Sequence, residues 1–352
     1  MAESYLVVGG NGFLGRHIVD QLVIKRSESP SLVDRIVVFD LNAGDTPNVE
    51  YIVGDLRKYE DVVSSCKDIS VVIHTASPLF TAGKEILYQV NILGTQNVIK
   101  ACREAGVKKL VYTSSGSVIF QAGEPKMVNG DETTPYPDVH IDDYSASKAE
   151  AERLVVAAND PPVLYSAVIR PTGIFGPHDR LAIPRMIQVA KNNQHRFQIG
   201  NNTALSDFTY VENLAEAHLL AAEKLIAVEE VNGQIFNITN GTPIYFWDFA
   251  HMVWALMGIH FTPIVIPYHV SLVLAFFIEI VGEIKAKITG KAATPGLTRA
   301  NIRHATRPRY LNIEKARRLL GYDPKIDLAE GLRRSLRSFG ELKEQQDEKK
   351  KK

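Results

Sequence analysis

The sequence has few cysteines, no excess of charge and no long apolar run, and each shortage excludes a class of protein. Cys66 and Cys102 are the only cysteines among 352 residues and lack metal-ligand spacing, which excludes a disulfide scaffold and favours a reducing compartment. Lysine plus arginine and aspartate plus glutamate both number 40, so the net charge of zero gives no reason to expect a nucleic-acid partner. With 45% hydrophobic residues, the chain is too apolar to be disordered. We expect a globular protein whose chemistry uses neither a metal ion nor sulfur.

The most apolar stretch is too short to cross a membrane. Residues 270–284 read VSLVLAFFIEIVGEI, which is below the roughly 20 apolar residues that a bilayer requires. Their apolar side chains spread around most of a helix, which favours a buried helix of a substrate-binding lobe; the alternative is a helix lying on a membrane surface. The start of the chain lacks the basic and apolar segments of a secretion signal. The lysines that close the charged tail, 341–352, match an endoplasmic-reticulum retrieval signal.

Strand and helix patterns alternate along most of the chain. Apolar β-type runs predict strands at 4–8, 35–40, 49–53, 71–75, 109–113, 165–170 and 234–239. Helical patterns occupy 13–24, 86–105, 144–158, 185–192 and 213–226. Continuous apolar strands joined by helical crossovers indicate an α/β fold with a doubly wound, parallel Rossmann-type sheet.

A glycine-rich turn follows the first predicted strand and opens the first predicted helix. Its sequence is Gly9-Gly10-Asn11-Gly12-Phe13-Leu14-Gly15. Glycines let the backbone approach a pyrophosphate, and the helix N-terminus offers free N–H groups with a partial positive charge. We therefore expect a dinucleotide site that involves Gly9, Asn11, Gly12, Phe13, Leu14 and Gly15.

Residues that follow the next strands extend this predicted site. Asp40 closes the second strand, 25 residues after Gly15, where its carboxylate can accept hydrogen bonds from the adenosine ribose and would repel a 2′-phosphate. NAD is therefore favoured over NADP, although Arg16 could offset the repulsion and keeps NADP as an alternative. Ligands of open α/β sheets bind at strand C-termini, which adds further cofactor candidates. These are Asp55, Leu56, Thr75, Ala76 and Ser77.

A second group of residues points to proton transfer. Tyr144 and Lys148 are four residues apart and share one face of a helix, and Ser115 stands 29 residues before Tyr144 at the end of the strand LVYTSS. A free tyrosine titrates near 10, but a neighbouring ammonium and an oxidised nicotinamide ring favour the phenolate. We expect Tyr144 to remove a hydroxyl proton while hydride leaves the same carbon. Ser115 would hold the substrate oxygen, and Lys148 would also bind the nicotinamide ribose.

Several longer motifs identify a family. They are GGNGFLG at 9–15, VYTSS at 111–115, YSASK at 144–148, RPTGIFGP at 170–177, DFTYVENLAEAH at 207–218 and YLNIEKARRLLGY at 310–322. Together they resemble the extended short-chain dehydrogenase/reductases over residues 4 to about 340, and within them the 3β-hydroxysteroid dehydrogenase branch. The resemblance implies Tyr144 as proton acceptor with Lys148 and Ser115 as its partners. It also implies backbone contacts to nicotinamide from Pro171 to Ile174.

Within that branch, the chain most resembles the members that act on 4α-carboxysterols. This implies oxidation of the 3β-hydroxyl to a ketone, after which the β-keto acid loses carbon dioxide without further catalytic groups. Expected partners are a sterol or triterpenoid substrate, a second copy of the chain, other enzymes of sterol C4 demethylation and, through 270–284, a membrane surface. The expected location is the cytosolic face of the endoplasmic reticulum, with the cytoplasm as alternative. A dehydrogenase for a related steroid, a sugar-nucleotide epimerase and a noncatalytic NAD sensor remain alternatives.

The expected domain division follows from these motifs. Residues 1–176 form the predicted NAD-binding domain, to which 205–240 returns, and 177–204 with 241–340 form a smaller C-terminal substrate-binding lobe. The lobe is rich in aromatic residues, which either line an apolar cleft or pack in a core. Just before it, His178 and Arg180 could reach a substrate carboxylate, although charged residues are more often at the surface.

Overall fold

The computed structural model describes residues 2–123, 126–289 and 297–341. Its strands are β1 Glu3–Val8, β2 Val33–Asp40, β3 Glu50–Val53, β4 Val71–His74, β5 Lys109–Thr113, β6 Met127–Gly130, β7 Tyr165–Pro171, β8 Ile174–Phe175, β9 Phe197–Ile199, β10 Leu205–Ser206, β11 Thr209–Tyr210, β12 Gln234–Ile238, β13 Ile244–Tyr245, β14 Ile264–Ile266 and β15 Arg309–Leu311. The charged tail beyond residue 341 lies outside the described residues.

The α-helices lie between these strands and after them. They are α1 Phe13–Glu28, α2 Tyr59–Ser65, α3 Lys84–Leu87, α4 Gly94–Ala105, α5 Asp143–Ala157, α6 Ala182–Lys191, α7 Val211–Lys224, α8 Phe246–Leu256, α9 Tyr268–Thr289, α10 Arg299–Thr306, α11 Glu314–Leu320 and α12 Leu328–Ser338. The segment predicted to be helical over 86–105 is helical throughout, but it is not one regular α-helix, because a π-helical segment, Tyr88–Leu93, joins α3 to α4. An irregularity of this kind leaves the apolar period almost unchanged, so the sequence pattern does not reveal it.

Seven parallel strands form the central sheet in the order β12-β7-β5-β4-β1-β2-β3, which confirms the predicted α/β fold. Successive residues of each strand point to opposite faces, so both faces require apolar cover. In β1, Val7 packs in a core beneath α1 and α7, whereas Leu6 packs in a second core beneath α2, α4 and α5. The division of the chain into domains stays a prediction, although β12 does join the central sheet.

This topology brings the predicted site residues to one edge. The chain order reverses between β1 and β4, and the carboxyl ends of the parallel strands lie together there, which is where ligands bind in open α/β sheets. The glycine turn, Thr75 and Ser115 lie just after β1, β4 and β5. Asp40 and Pro171 are the last residues of β2 and β7. The sheet therefore gathers residues that are far apart in sequence.

The C-terminal half builds a third core and a small second sheet. The buried side chains of Phe249, Val253 and Trp254 on α8 pack with residues of α6 and α12. The second sheet has the order β13-β10-β15-β6, and within it β15 lies parallel to both β10 and β6. This sheet takes strands from regions nearly 200 residues apart, so its existence could not be read from local patterns.

Helix α9 contains the apolar stretch 270–284, and it is not buried. Val281 is 64% exposed and Phe277 is 59% exposed, whereas Ser271 and Ala275 face the protein. The favoured expectation of a buried helix is therefore wrong. Glu279 pairs with Arg299 of α10, but most of the apolar side chains of α9 remain exposed in the described structure. No helix in the described ranges combines the length and apolar character needed to cross a bilayer.

Candidate active site

Tyr144 and Lys148 lie in the first two turns of α5, beside the end of β5. The helix begins at a defined place because the Asp142 side chain accepts a hydrogen bond from the backbone N–H of Ser145, a typical N-cap. Its first two turns thereby project Tyr144 and Lys148 toward the loop that starts at Ser115. The structure thus brings Tyr144 beside Ser115, and it directs the Lys148 ammonium to the backbone carbonyl of Thr113, two residues before Ser115.

The Tyr144 hydroxyl lies within hydrogen-bonding reach of Ser77 and Ser115. Burial, reinforced by the charge of Asp142, raises the pKa of Tyr144 to about 12, while the two serine hydrogen bonds act in the opposite direction. The phenol is therefore protonated at neutral pH unless positive charge is added beside it. Ser77, a predicted cofactor neighbour, therefore also lies beside the Tyr144 hydroxyl.

The Lys148 ammonium is almost completely buried, with 2% of its surface exposed. It donates a hydrogen bond of 2.5 Å to the backbone carbonyl of Thr113 and lies 4.3 Å from the centre of the Tyr112 ring. Burial lowers the pKa of Lys148 to about 7, and the charge of Glu152 opposes that change. The group therefore titrates close to neutral pH, where small changes in nearby charge alter its protonation.

Ser115 belongs to a chain of hydroxyl groups. Its Oγ lies 2.9 Å from the Oγ of Ser117, and Ser145 donates a hydrogen bond of 2.9 Å to the same Ser117 oxygen. Ser115 also caps the short turn Gly116–Ile119 by accepting from the Ser117 backbone N–H. These bonds hold the Ser115 side chain against the turn that follows it. Ser117 and Ser145 were not predicted, because a serine gives no periodic signal.

The glycine turn and the start of α1 fit a dinucleotide phosphate. A Cβ atom on Gly15 would lie 2.2 Å from the carbonyl oxygen of Gly9, so only glycine lets the turn pack this tightly. Helix α1 has no side-chain cap and no acidic residue in its first turn, which leaves its positive end available to an anion. Gly9, with φ of +83°, also packs against the backbone of Ala76, where a side chain would clash. Asn11 lies in the same turn, and Phe13 and Leu14 begin α1; their contacts with a cofactor stay a prediction.

The other predicted cofactor residues surround this turn. Oδ2 of Asp40 accepts a hydrogen bond of 3.0 Å from the backbone N–H of Asn11, which ties the end of β2 to the glycine turn. Thr75 donates from Oγ1 to the carbonyl oxygen of Val8 at 3.0 Å, next to the turn. Asp55 forms an ion pair with Arg57, which lowers the pKa of the Asp55 carboxyl group. Leu56 follows it and is buried.

The segment after β7 completes the edge. Pro171 is buried and Ile174 is half-buried, and Thr172 between them has a buried Oγ1 without a hydrogen-bond partner among the described residues. An orphaned hydroxyl at this edge is consistent with a ligand that supplies the missing partner. The residues present therefore fit a nicotinamide dinucleotide laid from α1 to this segment.

The sequence pattern of the 3-beta hydroxysteroid dehydrogenase/isomerase family matches residues 6–267. The chain belongs to this family. It is 43% identical over 347 residues to a decarboxylating sterol-4-alpha-carboxylate 3-dehydrogenase of Schizosaccharomyces pombe, covering 96% of this chain and 97% of that protein. It is 37% identical over 345 residues to the human protein of the same name, covering 97% and 90% of the two chains. The resemblance predicted from motifs is confirmed.

Solved structures show that this member of the 3-beta hydroxysteroid dehydrogenase/isomerase family shares its fold with more distant proteins. A structure named gox2253 matches with a TM-score of 0.74 at 23% identity, covering 97% of this chain and all of the other. A UDP-galactose 4-epimerase matches with a TM-score of 0.69 at 22% identity, covering 96% and 98%. These matches support the fold.

Asn91 is a further buried polar residue that contacts α5, and the sequence motifs did not single it out. It lies in the π-helical segment, is 1% exposed and donates from Nδ2 to the Ser147 Oγ at 2.9 Å. Its Oδ1 is buried without a partner among the described residues. π-Helical turns often occur at functional sites, where they redirect one side chain or carbonyl group. The signal is structural and has no counterpart in the spacing of apolar residues.

Proposed function

We propose that this protein oxidises the 3β-hydroxyl group of a 4α-carboxysterol to the 3-ketone, with loss of the carboxylate as carbon dioxide, in sterol biosynthesis. The observation that carries the proposal is the meeting of Tyr144, Ser115 and Lys148 at the cofactor edge of a chain that is similar along nearly its whole length to enzymes named for this reaction. A nicotinamide cofactor would accept the hydride.

The roles of the three residues follow from their surroundings. Ser115 holds the substrate oxygen, because its own orientation is fixed by Ser117. Tyr144 accepts the hydroxyl proton, but its pKa of about 12 means that extra positive charge beside it is needed, which a bound pyridinium would provide. Lys148 adds to that positive field when it is protonated. The ketone stands β to the carboxylate, so decarboxylation needs no second acid or base.

We propose NAD as the preferred cofactor and Asp40 as the residue that selects it. Asp40 is half-buried at the end of β2 beside the glycine turn, and Asn11 occupies only one of its oxygens in the described structure. The free oxygen can accept a hydrogen bond from a ribose hydroxyl, whereas a 2′-phosphate would meet a negative charge. The cofactor contacts proposed for Asp55, Leu56, Thr75, Ala76, Ser77, Pro171 and Ile174 also rest on position at this edge.

The decisive experiment follows reduced cofactor and released carbon dioxide together. Purified protein given NAD and a 4α-carboxysterol should produce both in equal amounts. Tyr144→Phe should lower kcat by at least about 100-fold while NAD affinity changes little. Tyr165→Phe is the matched control, since Tyr165 begins β7 at the opposite edge of the sheet. Reduced cofactor without gas would reduce the proposal to a plain 3β-hydroxysteroid dehydrogenase, and turnover of UDP-sugars instead would refute it.

We further propose that α9 docks on the cytosolic face of the endoplasmic-reticulum membrane. Exposed apolar residues on α9 form a continuous surface: Val270, Val273, Leu274, Phe276, Phe277, Ile278, Ile280, Val281 and Ile284. Soluble proteins rarely expose so many adjacent apolar side chains, and a helix of this kind can lie in the interface of a bilayer. A sterol would then reach the enzyme without crossing water. A homodimer and association with other enzymes of C4 demethylation stay predictions.

Vesicle binding tests this placement. The full chain should sediment with phosphatidylcholine vesicles, and Val281→Glu should weaken that binding because it inserts a charge into the exposed face. Ile24→Glu is the matched control, since Ile24 is a single exposed apolar residue on α1, at 55% exposure. A wild-type chain that stays in the supernatant, or equal binding by both variants, would contradict membrane docking by α9.

A further inference from the structure

Arg309, on β15, is a buried cation without an acidic partner. The residue is 9% exposed, and no carboxylate in the described ranges forms an ion pair with it. Its two Nη atoms contact His304, one at Nδ1 at 2.6 Å and the other at the backbone carbonyl at 2.9 Å. Both acceptors are neutral, so they leave the charge uncompensated. A buried charge of this kind is costly unless an anion joins it.

Two polar atoms, one on Arg309 itself and one on Ser206, lack hydrogen-bond partners in the described structure. Nε of Arg309 is buried without a hydrogen-bond acceptor among the described residues, and so is Oγ of Ser206, a residue that is 4% exposed. Ser206 and Arg309 are paired residues of the neighbouring parallel strands β10 and β15, so their side chains leave the sheet on the same side. Two adjacent, unsatisfied donors form a preorganised receptor for an anionic oxygen.

Other charges near the cluster favour an anion as well. Burial lowers the pKa of His304, and the charges of Arg309 and Arg185 lower it further. The neighbouring acid, Asp207, is bonded elsewhere: its Oδ2 accepts a hydrogen bond of 2.6 Å from the backbone N–H of Leu311, and it forms no ion pair with Arg309 in the described structure.

The cluster adjoins the proposed catalytic loop. Arg309 and Leu311 are two residues apart on β15 and so share one face of the strand. Leu311 packs against Gly116, the residue after Ser115: a Cβ on Gly116 would lie 3.0 Å from a Leu311 methyl carbon. The Arg309 guanidinium lies 5.9 Å from the centre of the Phe120 ring, at the end of the same loop. His178 and Arg180, in contrast, are exposed.

We propose that Arg309, with Ser206, forms the subsite that recognises the carboxylate of the substrate. This inference rests on the proposed function, because a 4α-carboxysterol carries its carboxylate on the carbon next to the reacting one. It adds a specificity determinant: the enzyme would distinguish the acid from an otherwise identical neutral 3β-hydroxysterol by supplying a cation and two donors that only the acid can use.

The test compares two substrates in each variant. For wild-type protein, kcat/KM should be higher for the 4α-carboxysterol than for the same sterol without the carboxyl group. Arg309→Gln should lower the ratio of these two values by about 10- to 100-fold, mainly through KM for the acid, and Arg309→Lys should restore part of it. Arg307→Gln is the matched control, because Arg307 lies over the Tyr268 ring instead. An unchanged ratio in Arg309→Gln would overturn the proposal.

Binding measurements separate this proposal from the proposed function. The affinity of the NAD-loaded protein for the 4α-carboxysterol, measured by calorimetry, should fall in Arg309→Gln whether or not the acid is turned over. If wild-type protein binds the acid through Arg309 but releases no carbon dioxide, the reaction assignment fails and the subsite stands. If UDP binds at Arg309 and the acid does not, the subsite serves phosphate and the proposal is wrong. Should Arg309→Gln fail to fold, Ser206→Ala, which removes one small donor, must still raise KM for the acid alone.

Discussion

Removing the charge of Glu152 should destabilise this protein more than any exposed substitution on the same helix. Glu152 lies on α5 one turn after Lys148 and is fully buried. It accepts hydrogen bonds from Nε and Nη2 of Arg170 and one of 2.6 Å from the Tyr136 hydroxyl. Arg170 immediately precedes Pro171, so the ion pair joins the helix that carries the proposed base to the segment that borders the cofactor edge.

The size of the effect follows from burial. Glu152→Gln keeps the shape of the side chain but leaves the Arg170 guanidinium, 2% exposed, without a counterion. Breaking a buried ion pair by removing one partner costs about 3 to 5 kcal/mol in free energy of unfolding. Glu150→Gln on the exposed face of α5 breaks only a surface pair with Arg153, for which about 0.5 kcal/mol is the expectation.

Chemical unfolding and a pH series provide the assay. The free energy of unfolding of Glu152→Gln should be several kcal/mol below that of Glu150→Gln, and adding Arg170→Met should recover part of the loss because it removes the orphaned charge. Since the charge of Glu152 raises the pKa of Lys148, its loss should also move the pH profile of kcat that depends on Lys148 to lower pH. Equal stability of the two single variants, or an unmoved profile, would refute this account of the pair.

Three further results are expected. The pKa of Lys148 is about 7 in the folded chain, so between pH 7 and 9 the unfolded chain binds this proton more tightly. The free energy of unfolding should therefore rise by up to about 1.4 kcal/mol per pH unit. Lys148→Met should remove that slope, and an unchanged slope would contradict the lowered pKa of Lys148. Gly15→Ala should abolish NAD binding, because its Cβ would clash with the Gly9 carbonyl oxygen. Gly83→Ala is the control, because its Cβ would meet nothing within 4 Å. Calorimetric titration with NAD compares the two variants, and intact binding by Gly15→Ala would contradict the tight turn. Asp40→Ser should reduce the preference for NAD over NADP, measured as the ratio of kcat/KM values, and a constant ratio would exclude Asp40 as the selector.

The central sheet could be predicted from sequence because its strands are continuous apolar runs separated by helices. Predicted and observed bounds differ by at most two residues for β1, β2, β4 and β7, and those of β5 agree. The proximity of Tyr144 to Lys148 followed from helical spacing, and that of both to Ser115 followed from the strand C-termini of a parallel sheet. Each inference used a period or a topological rule that holds for many sequences.

The remaining features depend on contacts that have no local signal. The contact of Ser77 with Tyr144 requires the loops after β4 and β5 to meet, and the pairing of Ser206 with Arg309 joins strands 103 residues apart. The exposure of α9 could not be predicted for a related reason. Apolar character shows that a helix avoids water, but only the packed structure shows whether protein covers it, as Val281 demonstrates.

The charges of the site explain why its parts must act together. Lys148, Arg170 and Arg309 are all buried basic residues, and of these three only Arg170 has an acid bonded to it, namely Glu152. A folded chain keeps buried charge without a partner only where other interactions compensate for its cost. In the proposed site, a protonated Lys148 would favour the phenolate of Tyr144, and Arg309 would favour an anionic group on the substrate. The unpaired charge of Arg309 would therefore bind and orient an alcohol that carries a carboxylate. Loss of that carboxylate as carbon dioxide would remove the group through which the product is held.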